Sequence, residues 1–170
     1  MDEATLLLGF ITIQRMAELI LARHNTRRLL AIGATEHGRA HYPLVVAFHA
    51  VWLGGLWIIG RNRMVDPFGL AAFVALALVR LWILATLRER WTTRVIVVAG
   101  APLVTGGPYR FVRHPNYVVV ACEIAVVPLA LGLPVYAAAF TLLHVPLLLT
   151  RIRVENRALA SAAPARPSGA

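Results

Sequence analysis

Long apolar stretches alternate with short, arginine-rich polar segments along most of this chain. Five stretches come close to the roughly 20 apolar residues with which a helix crosses the hydrocarbon core of a bilayer. They cover residues 4–22, 42–60, 67–85, 115–131 and 134–150. The pattern therefore predicts an all-α integral membrane protein with five transmembrane helices.

Composition agrees with this prediction and indicates one domain. Hydrophobic residues make up 59% of the 170 residues, more than an ordinary soluble domain contains. Asp2 and Glu3 stand where a cleavable signal peptide has its basic region, so the first span is expected to be a retained anchor. Residues 1–160 are expected to form one membrane domain, and residues 161–170, SAAPARPSGA, have the composition of a disordered tail.

The positive charge of the chain is distributed unevenly between the predicted loops. The formal net charge is +9, and all 17 basic residues are arginines. Thirteen of them fall in the first loop, the third loop and the C-terminal segment, whereas the second loop holds only Arg61 and Arg63. Because positive residues concentrate in cytoplasmic loops, we predict an outside N-terminus and a cytoplasmic first loop, third loop and C-terminal segment. Topology thus accounts for the charge, and no nucleic-acid partner is expected.

The segment between the third and fourth spans is longer than a minimal connection, and we expect it to lie at the cytoplasmic interface. Residues 93–98 and 102–105, which flank residues 99–101, favour a short β-like excursion, and the sequence GGP at 106–108 predicts a turn. Pro115 suits the first position of a helix and disfavours a helical conformation for His114. The start of the fourth helix therefore offers unpaired N–H groups to an anion. After the fifth span, a short amphipathic helix is predicted.

Two motifs carry a resemblance to a known family. The string GPYRFVRHPNY at 107–117 is followed by two apolar spans and then by RIRVENRAL at 151–159. This arrangement, covering about residues 87–159, resembles the isoprenylcysteine carboxyl methyltransferase family of membrane enzymes. More narrowly, residues 90–120 resemble its short bacterial members that O-methylate alkylpyrones. The resemblance implies five spans, S-adenosylmethionine bound at the cytoplasmic face, and a location in the bacterial plasma membrane.

The first motif supplies most of the candidate cofactor-binding residues. The carboxylate of S-adenosylmethionine suits a helix start with an arginine nearby, and tyrosine rings suit its adenine or sulfonium. A glutamate would accept hydrogen bonds from its amino group or ribose. The candidates are Tyr109, Arg113, His114, Pro115, Asn116, Tyr117 and Glu155. The Rossmann glycine fingerprint is missing from the sequence.

The second motif supplies candidate catalytic residues. Arg151 and Glu155 are four residues apart and would share one face of a helix. The family pattern has an arginine, three intervening residues and then paired glutamates, and Asn156 occupies the second of these positions here. We expect Arg151 and Asn156 to bind the acceptor and Glu155 to bind the cofactor; a plain interfacial salt bridge is the alternative. His114 is either a base for a weakly acidic hydroxyl or a structural cap.

Charged residues inside the predicted spans are further candidates, because charge at membrane depth is costly. Arg15 and Glu18 share a helical face and can neutralise each other. Glu123 lies on the helical stripe of Asn116, so we predict that it contributes to substrate binding. Cys122 is the only cysteine, and no Cys/His spacing predicts a metal site.

Three classes of function fit these features. The first is an O-methyltransferase whose lipophilic acceptor enters sideways from the bilayer and carries an acidic hydroxyl or a carboxylate, such as an alkylpyrone or an isoprenylcysteine. The second is an NADPH-dependent reductase of the sterol type, because such enzymes carry a similar RHPNY string. The third is a structural or transport protein. The tail motif favours the methyltransferase, and the oligomeric state stays open.

Overall fold

Five helices form most of the computed structural model, which describes residues 2–162. They are α1 (Glu3–Ala31), α2 (Tyr42–Ile59), α3 (Pro67–Leu87), α4 (Pro115–Ala130) and α5 (Pro134–Ala162). Two short strands, β1 (Thr35–His37) and β2 (Val95–Val97), accompany them. Four of the helices, α1, α2, α3 and α5, are long and apolar enough to cross a membrane. The protein is thus a mostly helical integral membrane protein, while α4, with 16 residues, leaves the fifth crossing a prediction.

The helices begin within one residue of the predicted spans, but two of them end much later. α1 and α5 each have 29 residues. At 1.5 Å per residue each is about 43 Å long, well beyond the hydrocarbon thickness of about 30 Å. The predicted amphipathic helix is therefore the continuation of α5 and not a separate element. Ser161 and Ala162 still belong to α5, and the rest of the predicted tail, 163–170, lies outside the described residues.

The end of the bundle that carries the α2–α3 and α4–α5 connections is fixed by contacts between α3 and α4. The Asp66 carboxylate accepts a hydrogen bond from the Gly69 amide at 2.7 Å, which caps α3. The Asp66 amide in turn donates to the Ala130 carbonyl at 2.8 Å. A Cβ on Gly69 would lie 2.6 Å from the Ala130 Cβ, so only glycine permits this close helix contact.

Apolar side chains fill the space between the helices and also cover much of the outside. Leu8, Trp52, Leu56 and Ile124 are among the fully buried side chains of the main core. Many other large apolar side chains point outward, as Ile58 does with 79% of its surface exposed. Outward apolar side chains are expected where the surrounding solvent is lipid.

The two strands form an antiparallel ladder at the opposite end of the bundle, with Thr35 paired to Val97 and His37 to Val95. The β-like segment predicted at 93–98 is confirmed by β2. Residues 102–105 form no strand, and the partner of β2 is instead β1, which was not predicted. Val95 and Val97 pack on Ala158, so the sheet covers the extension of α5. The sheet, the start of α4 and the end of α5 therefore meet at one end of the molecule.

Candidate active site

A cavity of about 580 Å³ lies where the sheet, the segment after β2, the start of α4 and the extension of α5 meet. Its volume falls in the ordinary range of small-molecule sites. Eight of the predicted site residues line it: Tyr109, Arg113, His114, Asn116, Tyr117, Arg151, Glu155 and Asn156. Two motifs that are more than thirty residues apart in the sequence thus face one cavity.

The turn before α4 sets the position of its first residues. Gly107 has φ +57°, and a Cβ there would lie 2.4 Å from Thr86 Oγ1, so glycine is required at this point. A short 3₁₀ turn over Gly107–Arg110 follows. His114 is the N-cap of α4, with φ −131° and ψ 65°, and Pro115 occupies the first helical position as predicted. Pro115 is buried beside the cavity and shapes the backbone without lining the wall.

His114 links the start of α4 to the extension of α5. Its Nε2 lies 3.1 Å from Asn156 Oδ1, and its Nδ1 lies 3.7 Å from Glu155 Oε1. The second Glu155 oxygen accepts a hydrogen bond from the Tyr117 hydroxyl. The rings of His114 and Tyr117 stack with centroids 5.5 Å apart. These contacts join both motifs through side chains that also line the cavity.

The charge state of His114 follows from this arrangement. The Glu155 carboxylate raises the pKa of His114 above its ordinary value. Because Asn156 Oδ1 can only accept, the proton of a neutral His114 sits on Nε2, and a second proton on Nδ1 faces Glu155. Burial raises the pKa of Tyr109, so its hydroxyl stays neutral. The wall near Glu155 thus carries a histidine that is readily cationic.

Arg151 places a guanidinium on the cavity wall. Its Nη2 donates to the Thr93 carbonyl at 2.8 Å, and its guanidinium carbon lies 5.5 Å from the centre of the Tyr117 ring. Its Nε is buried and has no hydrogen-bond partner within residues 2–162. A buried donor without a partner is uncommon in proteins, and a bound anionic oxygen would satisfy it. The residues present therefore fit a ligand that carries an anionic group.

Glu123 occupies a place different from the predicted substrate contact. Its side chain is 1% exposed, forms ion pairs with Arg15 and Arg80, and does not line the cavity. The predicted pair between Arg15 and Glu18 is confirmed at 2.9 Å. Along this helical stripe, Glu123 faces Arg15 and Arg80, whereas Asn116 lines the cavity.

Several parts of the cavity wall were not predicted. Trp91 is 2% exposed and lines the cavity, and the Thr93 carbonyl, next to the wall, accepts a hydrogen bond from Arg151. Strand β2 forms a further part of the wall. A backbone carbonyl has no sequence signature, and the β-like segment predicted at 93–98 gave the strand but not its place on the cavity wall.

Comparison with known proteins supplies the family. The profile of the isoprenylcysteine carboxyl methyltransferase (ICMT) family matches residues 69–161, more than half of the chain. The chain belongs to this family. An uncharacterized Bacillus subtilis (strain 168) protein, YpbQ, is 36% identical over 159 residues, which cover 91% of this chain and 95% of that protein. An uncharacterized Haemophilus influenzae protein is 23% identical over 162 residues, covering 88% of this chain and 91% of its own. No solved structure matches the chain.

Membership in the isoprenylcysteine carboxyl methyltransferase family confirms the resemblance found from the two motifs. The match begins at residue 69, upstream of the motifs, and so takes in α3 as well as α4 and α5. Membership indicates a membrane methyltransferase, and members of the family use S-adenosylmethionine.

Proposed function

We propose that this protein transfers a methyl group from S-adenosylmethionine to an acidic hydroxyl or a carboxylate on a lipophilic acceptor at the membrane interface. The observation that carries the proposal is the single cavity onto which Arg151, Glu155 and the start of α4 converge. Family membership supports the reaction class. The segment 90–120 favours an alkylpyrone-type acceptor over an isoprenylcysteine.

The cavity residues fit the three parts of the cofactor. Arg113 and the first amides of α4 would bind its carboxylate, and Glu155 would accept from its amino group. Tyr109 and Tyr117 would pack on its adenine. The bound cofactor supplies a methyl group on a sulfonium, ready for in-line displacement. The negative Glu155 and the positive Arg113 thus match the opposite charges of an amino-acid head.

Arg151 would hold the acceptor oxygen. A carboxylate or an acidic enol is already anionic near neutral pH, so its alignment matters more than a strong base. The guanidinium is anchored through Nη2 on the Thr93 carbonyl, which leaves its other nitrogens for the acceptor. His114 would act as a cation that positions Glu155 and Asn156, because Nδ1, the nitrogen that a base would use, faces the Glu155 carboxylate. These contacts support a structural role for His114, although its side chain makes no capping hydrogen bond at the start of α4.

A second, apolar groove offers a route for the acceptor chain. It measures about 390 Å³ and lies between α4 and α5, with apolar walls from Val112, Val118, Ala121, Cys122, Leu148 and Ile152. Arg113, His114 and Tyr117 line both the groove and the cavity. The hydrocarbon chain of the acceptor would lie in the groove while its polar head reaches Arg151. The arginine asymmetry supports a cytoplasmic active site in a bacterial plasma membrane.

Binding of S-adenosylhomocysteine and of NADPH to the detergent-solubilised protein, compared by calorimetry, tests the proposal. We expect saturable binding of S-adenosylhomocysteine and none of NADPH. Transfer of a labelled methyl group is then followed with a long-chain alkylpyrone and a prenylcysteine analogue in parallel. If the protein binds NADPH and not S-adenosylhomocysteine, it is a reductase and not a methyltransferase. If the methyl group is transferred only to the prenylcysteine analogue, the acceptor is a carboxylate and not an alkylpyrone.

A further inference from the structure

Four charged side chains form a closed cluster between α1, α3 and α4, apart from the cavity. Arg80 donates to both Glu123 oxygens, with its Nε 3.1 Å from Oε1, and Arg15 donates to Oε2 as well. Glu18 completes the cluster with contacts of 2.9 Å to Arg15 and 3.4 Å to Arg80. Two positive and two negative groups leave the cluster neutral overall. An apolar core would usually be at least as stable as such a buried cluster, so a specific role is worth seeking.

One contact leads from this cluster to the cavity. Arg80 Nη1 lies 3.4 Å from Asn116 Oδ1, and Asn116 lines the cavity from the first turn of α4. Arginine has only donors, so the atom of the Asn116 amide that faces Arg80 must be its oxygen. The NH₂ group of the same planar amide is therefore turned away from Arg80.

We infer that Arg80, held by Glu123, is a positioning residue that fixes the Asn116 amide with its NH₂ group presented to the ligand. The group recognised is a hydrogen-bond acceptor on the bound cofactor, a carboxylate oxygen or a ring nitrogen. A freely rotating amide would present oxygen and NH₂ to the ligand interchangeably, and the oxygen would repel the same acceptor. The inference rests on the proposed function for the identity of the ligand, but the orientation of the amide is independent of it.

Two double variants separate positioning from general stability, because each removes one positive and one negative charge from the same cluster. Arg80→Met with Glu123→Gln removes the contact to Asn116 and leaves Arg15 paired with Glu18. The matched control, Arg15→Met with Glu18→Gln, leaves Arg80 bound to both Glu123 and Asn116. Cofactor affinity is measured by calorimetry with S-adenosylhomocysteine. We expect about a tenfold loss in the first variant, the scale of one hydrogen bond, and little change in the control.

A second measurement reports the amide directly and needs no cofactor. The chain has four asparagines, so ¹⁵N-asparagine labelling gives four side-chain NH₂ signals, and Asn116→Ala identifies the one from Asn116. We expect that signal to shift in the Arg80 variant and to stay in place in the control. If the Arg80 double variant does not fold, Arg80→Lys takes its place, because one ammonium cannot reproduce the contacts of three guanidinium nitrogens.

The two measurements distinguish the possible failures. If the wild-type protein does not bind S-adenosylhomocysteine, the proposed function fails. The NMR signal of Asn116 then tests by itself whether Arg80 orients the amide. If the Asn116 signal is the same in the wild type and the Arg80 variant, the positioning role is wrong. Equal losses of affinity in both double variants would also overturn it, because the whole cluster would then act only through the fold.

Discussion

Replacement of Arg151 by alanine tests whether Arg151 orients the methyl acceptor while Glu155 binds the cofactor. Arg151 lies on the cavity wall, is anchored to the Thr93 carbonyl at 2.8 Å, and has a buried Nε without a partner within residues 2–162. If it orients the acceptor oxygen, its loss affects the transfer step far more than cofactor binding. Glu155→Ala, by contrast, should weaken both, because Glu155 would contact the bound cofactor.

The expected size of the Arg151 effect follows from its contacts. Removal of one fixed donor to a reacting anionic oxygen commonly slows a reaction by about 10²- to 10³-fold. The lost hydrogen bond to Thr93 costs about 1 kcal/mol in the free energy of unfolding, so the variant should still fold. The affinity for S-adenosylhomocysteine should change by less than about threefold, or under 1 kcal/mol.

Single-turnover transfer to a long-chain alkylpyrone measures the rate, and calorimetry measures cofactor affinity. Arg153→Ala is the matched control, because Arg153 lies on the same helix, is exposed and does not line the cavity. Both values should be unchanged in the control. A wild-type rate in Arg151→Ala would refute the acceptor role and leave Arg151 as a structural anchor for the segment around Thr93.

Three further predictions concern pH, the groove and topology. Because Glu155 raises the pKa of His114 in the folded protein, their attraction stabilises the fold fully below about pH 6.5 and is lost as the pH rises through the raised pKa. The Tm difference between wild type and Glu155→Gln should therefore shrink over that range, and a difference independent of pH would contradict this. Cys122→Trp, which narrows the groove, should raise KM for a long-chain acceptor but not for a short-chain one, with unchanged affinity for S-adenosylhomocysteine. In a Cys122→Ala background, Asn62→Cys should react with an impermeant maleimide on intact cells, whereas Arg157→Cys should react only after lysis; the reverse result would invert the topology.

The sequence predicted the helix starts well because their signals are local. Pro67, Pro115 and Pro134 each open a helix, since proline fixes φ and has no N–H to leave unpaired. The end of α1 was missed, and the end of α5 was predicted only as a further amphipathic helix, because the last turns of both are rich in arginine. Hydropathy falls there although the helix continues.

The site was predictable where a motif was continuous and unpredictable where contacts join distant segments. The sequence alone directed attention to His114, Asn116 and Tyr117, and all three line the cavity. The contact between Arg80 and Asn116 joins α3 to α4, and no local sequence pattern predicts it. Glu123 shows the limit of prediction from helical periodicity. The periodicity gives the direction of a side chain but does not identify the residue that it contacts.

The length of α1 and α5 gives a physical reason for the location of the proposed site. Each helix exceeds the hydrocarbon thickness by about 13 Å, and we expect its arginine-rich last turns to lie in the interface. In α5 those turns carry Arg151 and Glu155, and the sheet packs over them at Ala158. A polar cofactor would enter the cavity from the cytoplasm, while an apolar chain would enter the groove from the bilayer. Both spaces are lined by Arg113, His114 and Tyr117, so the cofactor and the methyl acceptor would meet at these residues. The cofactor would not have to enter the bilayer, and the apolar chain of the acceptor would not have to enter water.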